Sequence, residues 1–478
     1  MKFILNKLFQ RASILLFTIL LQSQLVYGAN LKLPSILDNH MVLQQENICK
    51  IWGWAKFGDS VMVRASWQEK NNYCVANEGG KWKLSIPTPK AGGPYEILIK
   101  ADTTIILKDV LIGEVWVCSG QSNMQMPLKG YISMPVFGSN DYIAKGYNNN
   151  LRLFDLKRKY SIEVADDCSG NWVVSNPADV ANFSAVAYSF GKYIQDILEI
   201  PIGLILSSWG DTPIEAWTDK TKLKNEFNEI DLSELKTDNV NSKSPSVLFN
   251  GMIHPILNYC IRGVIWYQGE SNRKSPEKYS KLFPAMINNW RDSWGLGNFP
   301  FLFVQIAPYS YRFDKNTQSA FLREAQFKTM QNTPNTGMVV TMDIGDSLSN
   351  HPPEKILIGK RLAYWALGRT YNIKGLSFSG PVYNSMIINK EKAIITFKYA
   401  ELGLTSFGKE LKDFVISGED RIFYPAKAVI KDTIIEVWSE KVKNPVSIRY
   451  CWKNYAKGTL YNNAGLPASS FRTDEWEN

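Results

Sequence analysis

Hydrophobic and polar positions change rhythm twice along this chain. From about residue 29 to 108 they alternate in short runs, Lys50-Ile-Trp-Gly-Trp, Ser60-Val-Met-Val-Arg-Ala, Trp82-Lys-Leu-Ser-Ile and Tyr95-Glu-Ile-Leu-Ile, separated by Gly-Asp, Gly-Gly and Pro-Lys steps. A period of two broken by turn residues predicts a small antiparallel β-sandwich. From 109 to about 370 compact apolar runs take over: Gly113-Glu-Val-Trp-Val, Ile202-Gly-Leu-Ile-Leu, Gly263-Val-Ile-Trp-Tyr, Phe301-Leu-Phe-Val-Gln and Met338-Val-Val-Thr-Met. Stretches 184–198, 276–294, 319–330 and 354–368 lie among them with apolar residues at three- and four-residue spacing, which predicts helices. Buried strands alternating with helices predict an α/β domain with a parallel sheet covered on both faces, and ligands beyond the carboxyl ends of its strands. After 371 the β pattern returns in Ala393-Ile-Ile-Thr-Phe, Thr433-Ile-Ile-Glu-Val-Trp and Val446-Ser-Ile-Arg-Tyr, so a β-rich region is expected over 371–478.

The first 28 residues read differently. Lys2, Lys7 and Arg11 flank an apolar stretch from Ala12 to Leu21, with small residues at Gly28 and Ala29, the pattern of a cleavable secretory signal. The apolar stretch is shorter than the ~20 residues that span a bilayer, so an exported chain without a membrane anchor is expected. Loss of those three cations lowers the formal net charge of +9 by three. No run of five basic residues occurs, and nucleic acid is not an expected partner.

Six cysteines, Cys49, Cys74, Cys118, Cys168, Cys260 and Cys451, are too few for a disulfide scaffold of 478 residues. Neither CxxC nor HExxH occurs, and no metal site or other cofactor is expected.

Polar residues where the apolar runs end are the candidates for chemistry. Cys118-Ser-Gly-Gln-Ser-Asn-Met124 places Ser122 on a Gly-containing turn after a strand, where a hydroxyl is held clear of the sheet beside backbone N–H groups. Such a turn is also compatible with a purely structural role, and it does not complete a GxSxG elbow. Two other runs end in Ser207-Ser-Trp-Gly-Asp-Thr-Pro-Ile-Glu-Ala-Trp217 and Trp266-Tyr-Gln-Gly-Glu-Ser-Asn272. Gln268 there is a candidate oxyanion donor. Glu270 is either a buried brace behind the serine turn or, with Asp346 or Glu215, half of a glycosidase carboxylate pair. Of three histidines, His40, His254 and His351, only His351 follows a strand of the α/β region. A Ser–His mechanism therefore points to it.

Gly113-Glu-Val-Trp-Val-Cys-Ser-Gly-Gln-Ser-Asn-Met124, Trp209-Gly-Asp-Thr-Pro-Ile-Glu-Ala-Trp217, Gly263-Val-Ile-Trp-Tyr-Gln-Gly-Glu-Ser-Asn272 and His351-Pro with Gly359-Lys-Arg-Leu-Ala363 together resemble sialate O-acetylesterases of the SGNH-hydrolase superfamily. Met41-Val-Leu-Gln, Trp52-Gly-Trp, Arg449-Tyr-Cys-Trp and Gly465-Leu-Pro-Ala-Ser-Ser-Phe-Arg-Thr-Asp474 extend the resemblance to both ends of the chain. It implies a flavodoxin-like, three-layer hydrolase domain and removal of acetyl groups from an O-acetylated carbohydrate. Ser122 would be the nucleophile and His351 the base, and the Ser122 N–H, Gly210 and Gln268 would form the oxyanion hole, with Asn123 and Glu270 in support. Two positions depart from the family pattern. Asp211 stands where a second glycine is usual, and Leu348-Ser-Asn350 precedes His351 where an aspartate is common, which makes Asp346 the nearest upstream carboxylate to orient the imidazole. The same chemistry on acetylated xylan is an alternative substrate reading. A glycan-binding protein that has lost activity, with its 15 Trp and 22 Tyr as stacking surfaces, is the alternative of another class.

Overall fold

The computed structural model describes residues 31–236, 238–311 and 317–476. The expected secretory signal over 1–28 lies outside them. At the centre is a mixed sheet of seven strands: β1 (Thr104–Gly120), β2 (Asn148–Asp155), β3 (Trp172–Ser175), β4 (Ile202–Ser208), β5 (Gly263–Tyr267), β6 (Phe301–Val304) and β7 (Thr336–Val339). Their order is β7-β6-β5-β1-β4-β2-β3. Every neighbouring pair is parallel except β2 with β3, where the edge strand runs back.

Alternate side chains of β1 enter different cores, as the period of a strand requires. Val115 and Val117 pack with α3 (Pro276–Trp294) and α4 (Gln318–Asn332). Trp116 and Cys118 pack with α2 (Ala185–Leu198) and α5 (Lys355–Trp365). The result is a three-layer domain. Local signals set its helix ends: Ser184 Oγ accepts from the Ala187 N–H at 3.1 Å to open α2, and Pro276 begins α3, which Gly295 closes in the left-handed conformation.

The five apolar runs became β1, β4, β5, β6 and β7, whereas β2 and β3 were not expected. The strand β2 begins with three asparagines and carries a charge, Arg152, among buried Leu151, Leu153 and Phe154. That arginine is only 3% exposed, and Asp109 neutralises it through contacts of 2.6 and 3.2 Å.

The strand β1 is seventeen residues long and serves two regions. Its first half pairs antiparallel with Gly92–Lys100, and Val42–Gln44 lies parallel to its middle. Its second half pairs with β4 and β5. The expected boundary at 108/109 thus falls inside one continuous strand. The remaining N-terminal strands include Ser60–Ala65 between Gly92–Lys100 and Asn72–Val75, and an Ile48–Trp54 and Lys81–Pro87 pair, all contributing to one core. After α5, two antiparallel four-stranded sheets surround a separate core that includes Ile395, Ile416, Ile435, Val437 and Ile448. They dock on α4, where fully buried Arg323 donates to Ser470 Oγ at 2.9 Å and to the Lys453 carbonyl at 2.6 Å.

All six cysteines are free thiols. No helix among the described residues is long and apolar enough to cross a membrane.

Candidate active site

Three strand ends meet at one place. Register sets Gly120, the last residue of β1, beside Ser208 of β4 and Tyr267 of β5. Gly120 has φ +139°, and a Cβ there would lie 2.2 Å from the Tyr267 carbonyl oxygen, so only glycine lets the chain turn this close to its neighbour. Gln121 follows, its N–H on the Tyr267 carbonyl at 2.9 Å. Ser122 then opens the short helix α1 (Ser122–Gln125; the element precedes α2 in the chain). The first N–H groups of a helical turn have no intrahelical acceptor, which leaves the Ser122 amide as a donor beside its own hydroxyl.

His351 arrives on the segment between β7 and α5. Its Nε2 lies 2.8 Å from Ser122 Oγ, and its ring meets Tyr131 edge to face at 6.2 Å. Burial, with the nearby Lys355 ammonium, pushes the imidazole down to about 4. An ordinary imidazole titrates at ~6.5. Nδ1 is buried and has no partner among the described residues. Asp346 is therefore not brought to the imidazole: its Oδ1 accepts instead from the Leu348 N–H at 2.8 Å, closing a local turn two residues on. The expected carboxylate–imidazole contact is absent because that turn claims the carboxylate.

Two expected oxyanion donors are also engaged elsewhere. Gln268 is wholly buried and donates to Thr212 O at 3.2 Å and Asn272 Oδ1 at 2.7 Å, while Tyr279 donates to its Oε1 at 3.2 Å. It braces the loops behind the cleft rather than lining it. The Gly210 N–H does face the cleft, but Gln125 Oε1 accepts from it at 2.6 Å. The neighbouring Asp211 adopts φ +59°, a left-handed conformation that suits glycine and that aspartate tolerates better than most side chains. Its carboxylate points out of the turn and pairs with the Lys243 ammonium.

Behind the serine turn, Asn123 is fully buried and donates to Glu270 Oε1 at 2.6 Å and to the Asn350 carbonyl at 2.9 Å, and its Oδ1 accepts from Lys355 Nζ at 2.6 Å. Burial pushes the Glu270 carboxyl up and the Lys355 ammonium down to about 7. The carboxylates once considered as partners for Glu270 are occupied elsewhere: Glu215 holds Asn272 at 2.8 Å, and Asp346 its own turn. Glu270 lines the cavity that holds Ser122 and His351, whereas Glu215 and Asp346 do not.

Ser122 and His351 open into a cavity of about 770 Å³. Tyr131, Trp209 and Tyr311 supply aromatic faces; Arg158 lies 5.8 Å over the Trp209 ring and Arg273 4.2 Å over the Tyr311 ring. Gln121 also lines it, with its Oε1 toward the Gly269 and Ser271 N–H groups at 3.4 and 3.5 Å. Sequence reasoning missed Gln121, Gln125, Arg158, Arg273 and Lys355. The two glutamines flank the serine in Gly-Gln-Ser-Asn-Met-Gln125, so their signal was local, and Lys355 announced itself as a charge opening the apolar Ile-Leu-Ile of a helix. The arginines sit in irregular loops without a pattern.

With this geometry in view, the chain matches a family model described as carbohydrate esterase, sialic acid-specific acetylesterase, over residues 112–367. It is 32% identical to the human sialate O-acetylesterase, over 93% of this chain and 92% of that protein. The Rattus norvegicus sialate O-acetylesterase is 30% identical over 93% of this chain and 94% of its own length. Among solved structures, a carbohydrate acetylesterase from Xanthomonas citri superposes with a TM-score of 0.86 at 34% identity, covering 94% of this chain and 100% of that one.

Proposed function

The chain belongs to the sialic acid-specific acetylesterase family of carbohydrate esterases, and on that premise we propose that it is an exported serine esterase of the SGNH type that removes O-acetyl groups from sialic acid or a related glycan through an acetyl-serine intermediate. The observation that carries this reading is the 2.8 Å contact between Ser122 Oγ and His351 Nε2 at the carboxyl end of the central strand. His351 takes the Ser122 proton as Oγ bonds to the acetyl carbon. The oxyanion that forms is met by the Ser122 N–H, joined by the Gly210 N–H once the substrate oxygen replaces Gln125. Return of the proton from His351 to the sugar oxygen releases the alcohol, and His351 then activates a water against the acetyl-enzyme. The protein supplies no carboxylate to the imidazolium at Nδ1 among its described residues, so His351 works as a base of a Ser–His pair.

Two features support a sialic acid. Arg158 and Arg273 line the cavity and offer guanidinium groups to the carboxylate of a sugar acid. Tyr131, Trp209 and Tyr311 offer faces to its ring. These faces would also stack a neutral pyranose, which favours acetylated xylan as the second reading. Export rests on residues 1–28 and is read by sequencing the amino terminus of the mature protein.

The test is acetate release from O-acetylated sialic acid and from acetylated xylan by the wild type, Ser122→Ala and His351→Ala. Release from sialic acid that falls at least ~10³-fold in both variants is the expected outcome. Serine-dependent release from xylan alone keeps the mechanism and replaces the substrate. Absence of release from either, and from an aryl acetate, moves the glycan-binding reading ahead. No step uses a metal, so activity is expected to survive EDTA.

A further inference from the structure

Lys355 takes no part in the steps above, yet it is wholly buried. An ammonium leaves water only where compensation exists, and here the compensation arrives through one amide. Lys355 Nζ donates to Asn123 Oδ1 at 2.6 Å, and Asn123 Nδ2 donates to Glu270 Oε1 at 2.6 Å and to the Asn350 carbonyl at 2.9 Å. The orientation of that amide is chemically fixed, because an ammonium can only donate while a carboxylate and a carbonyl can only accept. Its placement is equally specific. Asn123 follows the nucleophile, Asn350 precedes the base, and Lys355 begins α5 four residues after the base. Both ends of the segment carrying His351 are thus tied to the residue beside Ser122.

The imidazole itself has no hydrogen bond at Nδ1 among the described residues, so its orientation must come from how that segment is held. We infer that Lys355 is a positioning residue for the Ser122–His351 pair, acting with the Glu270 carboxylate through the Asn123 amide in place of a carboxylate on the imidazole. This rests on the assignment of Ser122 and His351 as nucleophile and base. The charged groups around the ammonium are Glu270 and Glu354, with His351 nearby and the Tyr267 ring 5.7 Å from Nζ.

The experiment compares Lys355→Met with the double variant Lys355→Met/Glu270→Gln, which leaves neither charge buried alone and so protects the fold. Folding is checked by circular dichroism and melting, and activity is read with an aryl acetate. In the folded double variant kcat falls on the order of 10²-fold, as expected for a reacting group displaced by about 1 Å, while KM stays within about three-fold because Glu270→Gln keeps the shape of the cavity wall and the aromatic faces and arginines of the cavity are unchanged. The acid limb of kcat/KM moves to higher pH, since the cation beside His351 is gone. A wild-type kcat, or an acid limb unmoved from that of the wild type, in the folded double variant overturns the inference. Ser122→Ala is measured alongside: its inactivity leaves the Ser–His reading standing whichever way the lysine variants fall, and its full activity overturns both.

Discussion

Burial and the Lys355 ammonium place the His351 imidazole at about 4, and in the proposed mechanism the neutral ring is the form that accepts the serine proton. The acid limb of kcat/KM is accordingly expected near pH 4, with a flat rate from there toward neutrality; a limb near 6.5 would contradict the buried setting of this histidine. The same depression acts on stability. An unfolded chain protonates this histidine at ~6.5, so between that pH and 4 the unfolded state binds the extra proton and the folded state loses ground as the pH falls. Asp346→Asn is expected to leave both kcat and the pH profile unchanged, because that carboxylate serves only the Leu348 turn. That Ser122 and His351 meet was legible in the sequence, the one from its turn after a strand and the other from the scarcity of histidines. Side-chain hydrogen bonding was not. Nothing in Trp-Tyr-Gln-Gly-Glu says that Gln268 turns its amide to Asn272 and away from the cleft, because the choice depends on Thr212 and Asn272 arriving from elsewhere.

Elements carry the site by their ends. The β1 turn works because Gly120 lets the backbone pass against Tyr267, and Gly120→Ala adds both a left-handed strain of roughly 1–3 kcal/mol and a methyl group placed on a carbonyl oxygen. The expected outcome is a lowered urea midpoint together with a fall in kcat, since Ser122 lies two residues on. A midpoint within error of the wild type would mean that the turn yields more easily than its geometry implies. Elements buried on both faces were readable as apolar runs, and the helices by their spacing. The helix α3 matches its expected limits because proline opens it and glycine closes it. The edge strand β3 escaped notice because edge position relaxes the demand for continuous apolar residues, and β2 beside it because three asparagines open it and a paired arginine interrupts its apolar run.

At the scale of the whole molecule, Glu114 on β1 gathers the three regions. It is fully buried and accepts from Gln44 at 3.0 Å and Gln45 at 2.6 Å in the N-terminal region, from Arg262 at 2.5 and 2.9 Å ahead of β5, and from Tyr371 at 2.9 Å where the C-terminal region begins. Glu114→Gln keeps the shape and removes the charge that holds these donors. A loss of about 3 kcal/mol or more in urea unfolding is expected, with kcat per folded molecule unchanged. A smaller loss would mean that the surrounding amides re-pair without the charge. The continuous strand β1 has an evolutionary corollary. A recombination joint or protease cut at residue 108 would sever a paired strand, with Ile106 and Leu107 on one side and Val110 and Leu111 on the other. A fragment trimmed at residue 108 is thus expected to lose the pairing of the strand that leads to Ser122, and a minimal esterase to need the sheet in which that strand begins.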